Sequence, residues 1–408
     1  MRLRKLIVVA VGLVVLMLAA LSVLAAEQKV KTSVLRDVPS SVKVFVQEYT
    51  YQASEYDSKV SCRAIAFEQA KRLVLEKLGT YVESETEVRN FQLTQDRIVT
   101  LAAGVVSTEI IDEKWNGNTY YLKARIMADP KEVAESIDKL RQDRRKTKEL
   151  EETRKIANGA LREIETLKKE LEIAKANKAQ FVRYNEAVNT LAATVWVDKG
   201  LALARTGRRQ EAIERFSKAI ELDPKLAIAY NNRGTAYLEL GNDQRALMDY
   251  DRAIELDPNY APAYAGRAGA YGNLGNHQQA LRDCDRAIEL DPKIAMAYSN
   301  RGMAHAELGN YQQALRDCDR AIELDPQLEL TYVHRAFTYI KLRNYHQALL
   351  DSDRAIQLDP KDADAYANRG VAYLNLGNSQ QAIEDFKVAA RLGFTKAQDY
   401  LRKQGIAW

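Results

Sequence analysis

The chain is poor in the side chains that metal and redox chemistry need, with 4 His and 3 Cys among 408 residues. It has no GxxxxGK, GxSxG, HExxH or paired CxxC. The commonest signatures of phosphate-cradling, acyl-transferring and zinc-dependent enzymes are therefore missing. It also lacks a charge excess: 60 Lys and Arg oppose 56 Asp and Glu, and Arg2, Arg4 and Lys5 supply 3 of the net +4. Residues 27–130 and residues 193–408 each carry a net −1, so neither presents the basic footprint of a nucleic-acid binder. With 46% apolar and 28% charged residues the chain is not compositionally disordered, and its length predicts two or three structural units.

The positive leader is followed by residues 6–26, a run without charge that ends at Glu27. A charged leader ahead of an apolar core is an export pattern. Cleavage after a small-residue site near Ala25 or Ala26 gives a soluble protein, whereas a run of this length also suffices as an uncleaved membrane anchor. Either way the expected location of everything beyond Glu27 is outside the cytoplasm, in the periplasm or cell envelope.

Proline is scarce too, at 8 residues, but five of them keep time: Pro224, Pro258, Pro292, Pro326 and Pro360 are 34 residues apart. Tyr230, Tyr264, Tyr298, Tyr332 and Tyr366 keep the same phase, as do Ala246, Ala280, Ala314, Ala348 and Ala382. Each unit reads as helix, Leu-Gly-Asn turn, helix, Asp-Pro, since proline cannot continue the preceding helix. One such helix pair cannot bury its own apolar stripe, so the units must stack. Residues 193–396 resemble six tetratricopeptide repeats, as in Ala229-Tyr230-Asn231-Asn232-Arg233-Gly234 and Ala253-Ile254-Glu255-Leu256-Asp257-Pro258. The first unit is degenerate, the fifth has Arg343 at the turn glycine, and Phe394 replaces the last proline ahead of a capping helix expected over 397–408.

The resemblance implies a right-handed α-solenoid whose concave face, lined by the first helix of each pair, holds a protein or peptide partner. That face would carry Asn232, Thr235, Leu238, Asn300, Met303, His334, Phe337, Ile340, Asn368 and Val371. Amides suit an extended peptide backbone, and Met and Phe suit apolar side chains. Asn232, Asn300 and Asn368 also fit the repeat consensus, where they satisfy backbone groups. Positions that would grip a terminal carboxylate hold Ile228, Met296 and Leu330, which disfavours that mode. Arg233, Arg267, Arg301, Arg335 and Arg369 run in step with Asp249, Asp283, Asp317, Asp351 and Asp385, predicting Arg-carboxylate pairs within repeats. The four His fall at unrelated repeat phases, and Cys284 and Cys318 occupy equivalent core positions too far apart for a disulfide, so no metal or cofactor is expected.

Ahead of the array, residues 41–130 predict a small α+β domain in the order β-α-β-α-β-β. Val42, Val44 and Val46 alternate with Lys43, Phe45 and Gln47; a helix spans 60–80 with Gly79 as its stop; Thr86–Phe91 is extended; and a short helix covers Asp96–Ala103. Asn116-Gly117 joins two strands as a hairpin. Ala64-Ile65-Ala66, Leu78-Gly79-Thr80-Tyr81-Val82-Glu83-Ser84 and the 101–106 region resemble small domains of bacterial envelope lipoproteins and of a flagellar ring-assembly protein. Residues 131–192 predict a charged helical linker whose seam is Leu150, Thr153, Ala157, Ala160, Ile164, Leu167, Leu171 and Ala174. It either packs on the first repeat or forms a homodimeric coiled coil. The expected function is a non-enzymatic interaction scaffold of the cell envelope; the alternative is an accessory subunit of an envelope enzyme or assembly whose N-terminal domain binds a cell-wall polymer.

Overall fold

The computed structural model describes residues 41–85, 95–142, 144–173 and 178–408. The leader and the extended segment expected over 86–91 lie outside them. Three antiparallel strands, β1 (Lys43–Gln52), β2 (Glu109–Trp115) and β3 (Thr119–Ala128), form a sheet in the order β1-β3-β2. The hairpin is where the sequence put it: Asn116 Oδ1 accepts from the amides of Asn118 and Thr119, and Gly117 takes φ 97°. In β1 the covered face is the aromatic one. Phe45, Tyr49 and Tyr51 face the helices while Val44 is 46% exposed, because large rings bury more area than valines of the opposite phase.

Helix α1 (Lys59–Glu85) lies on β3, whose Tyr120, Leu122, Ala124 and Ile126 are buried. It does not stop at Gly79. Burial of Leu78 and Val82 on either side of the glycine carries the helix through, outweighing the glycine's weak propensity. Helix α2 (Gln95–Val105) and α3 (Pro130–Gln142) close this core through Val99, Leu101, Val133 and Ile137.

The linker is not one long spacer. Helix α4 (Arg144–Ile173) folds back antiparallel on α5 (Lys178–Arg205), and α5 runs without a break across residue 193 into the first repeat. Leu150, Thr153, Ala157, Ala160, Ile164 and Leu167 are all buried, the last four against Tyr184, Ala187, Val188 and Leu191 of α5 and Leu150 against the N-terminal core. The seam expected to serve a homodimer is thus covered by the chain itself. Two polar clusters join the N-terminal domain to this hairpin. Asp57, with no side-chain exposure, accepts from Tyr51, Ser54 and Tyr184 hydroxyls and pairs with Lys168 at 3.2 Å. Lys71 bonds Asp198 at 2.5 Å, with Glu68 at 3.7 Å. Burial alone would lower the Lys71 pKa, but these carboxylates hold it above its ordinary value.

The array follows as helix pairs: α5 with α6 (Arg209–Leu222), α7 (Ala227–Glu239) with α8 (Asp243–Leu256), α9 (Ala261–Asn273) with α10 (His277–Leu290), and α11 (Ala295–Glu307) with α12 (Tyr311–Leu324). Then come α13 (Glu329–Lys341) with α14 (Tyr345–Leu358) and α15 (Ala363–Asn375) with α16 (Ser379–Arg391). The cap α17 spans Thr395–Lys403, shorter than expected, with the Tyr400 ring tilted against that of Phe386 at a centroid distance of 4.8 Å. After each of α6, α8, α10, α12 and α14 the Asp of Asp-Pro adopts an extended backbone and its Oδ1 accepts from the amide two residues on, stopping the helix.

At the intra-repeat turn, Gly207, Gly241, Gly275, Gly309 and Gly377 take φ between 72° and 83°, and Arg343 takes 59°. A side chain in that region is strained by about 1–2 kcal/mol. Arg343→Gly is therefore expected to stabilise the array by about 0.5–1 kcal/mol after the added freedom of the unfolded glycine, read as a higher urea midpoint. An unchanged or lower midpoint would show that the turn is not strained.

Candidate functional site

The first helices place one side chain per turn on the face away from their partner helix. Small residues make that stacking close: a Cβ on Gly302 would lie 2.9 Å from Cys318 Sγ and 3.1 Å from the Ala314 carbonyl. The arginine series is spent on the same stacking. Arg301 holds Asp317 in its own repeat with two bonds of 3.0 and 2.8 Å and reaches back to Asp285 at 2.7 Å. Arg267, Arg335 and Arg369 repeat this with Asp251 and Asp283, Asp319 and Asp351, Asp353 and Asp385. Arg233, which has no earlier Asp, uses Ser217. Pairing within repeats was legible in the 16-residue offset; the second bond, stitching each repeat to the one before, was not. It explains why Asp251, Asp285, Asp319 and Asp353 stand two residues beyond the first Asp in α8, α10, α12 and α14.

Several expected contact residues also work within the protein. Asn300 Nδ2 donates to the Ala265 carbonyl at 3.0 Å and Asn368 Nδ2 to that of Val333 at 3.2 Å, each reaching the preceding first helix. His334 takes the same phase and bonds Ser299 through Nδ1, 3.1 Å from its carbonyl and 3.0 Å from its hydroxyl. Burial lowers the His334 pKa to about 4, so the ring is neutral at pH 7. Asn232, 5% exposed, accepts from Asn231. Thr235 Oγ1 is shared between the Asn231 carbonyl and Tyr250 Oη. These residues order the stack. Met303, Phe337, Ile340 and Val371, the apolar members of the expected face, are half-buried, with Val371 packed on the cluster of Ala367, Ala382 and Phe386 and Lys341 Nζ 4.8 Å over the Phe337 ring.

At the start of α13 lies Glu329, whose carboxyl is held well above the ordinary carboxylate range by burial and by Asp362, Asp359 and Asp364. Its raised folded pKa means the folded chain binds more protons there, so stability falls as pH rises from about 4.5 toward the folded pKa. Glu329→Gln is expected to raise the unfolding midpoint at pH 8 and to leave it unchanged at pH 4. An equal shift at both pH values would count against the account.

Cys62, Cys284 and Cys318 are free and buried, and burial raises the thiol pKa of each, that of Cys62 to about 11. Among the described residues no cluster of His, Cys, Asp and Glu is placed to hold a metal, and no helix is long and apolar enough to cross a membrane.

Tetratricopeptide-repeat family models match residues 227–260, 261–294, 295–328, 331–362 and 353–384, and a further TPR-repeat model matches 200–241. No curated protein matches the chain. Among solved structures it is similar to TTC0263, a thermophilic TPR protein in Thermus thermophilus, at 24% identity over 45% of this chain and 99% of that one, TM-score 0.40. It is similar to a tetratricopeptide repeat protein from Parabacteroides merdae at 23% identity over 60% and 98%, TM-score 0.43. It is also similar to YrrB, described as a TPR protein with an unusual peptide-binding site, at 26% identity over 46% and 97%, TM-score 0.31.

Proposed function

Because the chain belongs to the tetratricopeptide-repeat family, a family of protein-interaction scaffolds, we propose that it binds a partner segment in the concave groove and performs no chemistry of its own. The observation that carries this reading is the half-buried row Met303, Phe337 and Ile340, apolar side chains of two successive first helices, α11 and α13. Met and Phe there adapt to an apolar side chain of a partner, and lost solvent contact supplies the affinity. The leader pattern of residues 1–26 supports a site of action in the cell envelope.

The test compares proteins co-purifying with the full chain and with a variant carrying Met303→Glu and Ile340→Glu. Both sites are half-exposed, so the variant is expected to fold, with a far-UV spectrum like that of the parent. A specific partner lost from the variant supports the reading. A partner set identical for both would overturn it.

A further inference from the structure

The groove is not equally open along its length. Ile228 is 3% exposed and Leu226 6%, whereas Met296 and Leu330, in the phase of Ile228, and Ile294 and Leu328, in the phase of Leu226, are half-buried. Part of what covers the early repeats is the chain's own helix α4. Ile156 of α4 packs into the cluster of Val197, Leu201, Leu226 and Ile228. One turn earlier, Glu152 accepts from Tyr260 Oη at 3.2 Å; one turn earlier still, Lys148 Nζ lies 2.5 Å from Asp291 Oδ2. Lys148, Glu152 and Ile156 are four residues apart, so they form one stripe, about a quarter-turn round the helix from the Thr153 and Ala157 seam that meets the rest of the chain. Tyr260 and Asp291 belong to the connections after the second and third units, so this stripe runs from Ile228 along the edge of the groove past its first three units.

We propose that α4 is a tethered occupant of the groove, and that a partner helix of the same chemistry, with a cation, an acceptor and an aliphatic side chain at four-residue spacing, engages the first three repeats only by displacing it. The fit is incomplete in a way that favours exchange. Asn231 Oδ1 and Asn232 Nδ2, on the turn of α7 that follows Ile228, are buried without a partner, and such groups normally cost free energy until they are matched. A tethered segment competes at an effective concentration in the millimolar range, which suffices to keep a free helix of equal chemistry out.

The proposal rests on the groove being the partner site, but its test does not need an outside partner. A fluorescein-labelled peptide of residues 144–160 is titrated into the full-length chain and into a full-length variant carrying Lys148→Ala, Glu152→Ala and Ile156→Ala. The peptide is expected to bind the variant at least tenfold more tightly than the parent, and to lose that gain when Tyr260→Ala and Asp291→Ala are added. Equal binding to parent and variant, or no binding to the variant, would overturn the proposal. Should the triple variant fail to fold, Lys148→Glu, at a side chain 48% exposed, gives the same direction with a smaller gain of about threefold; no gain there would also overturn it. Peptide exchange as expected, with an unchanged partner set for the Met303→Glu and Ile340→Glu chain, would defeat the function proposed above and leave this inference standing.

Discussion

Arg301→Gln is expected to destabilise the array by about 3 kcal/mol, far more than a surface substitution would. The change leaves Asp317, 4% exposed, as a buried carboxylate without its bidentate partner, and cuts the bond to Asp285 that ties the fourth repeat to the third. In a stack whose units touch only their neighbours, a weakened interface divides the cooperative unit. Urea unfolding followed by hydrogen exchange should therefore show the helices after α11 opening before those ahead of it. Arg301→Lys should rescue little, since an ammonium cannot span two carboxylates in the arginine's planar fork. A loss below about 0.5 kcal/mol, with exchange still uniform, would mean that the arginine ladder is not what joins the repeats and would reopen its role as a ligand site.

Asp57→Ala carries the second large effect, an expected loss of about 3–5 kcal/mol confined to the docking of the N-terminal domain on α4 and α5. The buried hydroxyls of Tyr51 and Tyr184 and the Lys168 ammonium would lose their common acceptor. Burial would by itself raise the Asp57 pKa, but Tyr184, Ser54 and Lys168 overcome that and hold it below 3.8. A depressed folded pKa contributes stability that is present above the unfolded value and lost as pH falls through the folded one. The parent should consequently lose this contact in acid below about pH 4, and the variant should show no such step. Limited proteolysis between Ala128 and Arg144 reports the docking directly. Protection that is the same for parent and variant would contradict the assignment.

These effects differ in how far the residues announced them. The 34-residue period, the Asp-Pro stops and the Asn116-Gly117 hairpin follow from local backbone chemistry, so the order of residues alone reveals them. The return of α4 onto α5 is not legible in this way, because a seam of Leu, Ala and Ile has the same spacing whether its partner is another chain or the next helix. The phase of β1 was open for a similar reason: valines and aromatics alternate along it, and only the position of α1 decides which set is covered. Within the candidate site, Asn300, Asn368 and His334 look like ligand-facing polar groups until the neighbouring first helix is in place to receive them. Met303, Phe337 and Ile340 are half-buried on α11 and α13, and Val371 packs instead on the cluster of Ala367, Ala382 and Phe386.

The central claim, that the open stretch of the groove is where a partner sits, is tested most directly by site-specific photocrosslinking in living cells. One photoreactive residue replaces Phe337 and another replaces Met248, which is 71% exposed on the second helix α8. The account predicts a discrete protein adduct from position 337 that is absent from position 248 and abolished by Met303→Glu with Ile340→Glu. Adducts of equal yield from both positions, or an adduct from 337 that survives those substitutions, would contradict it.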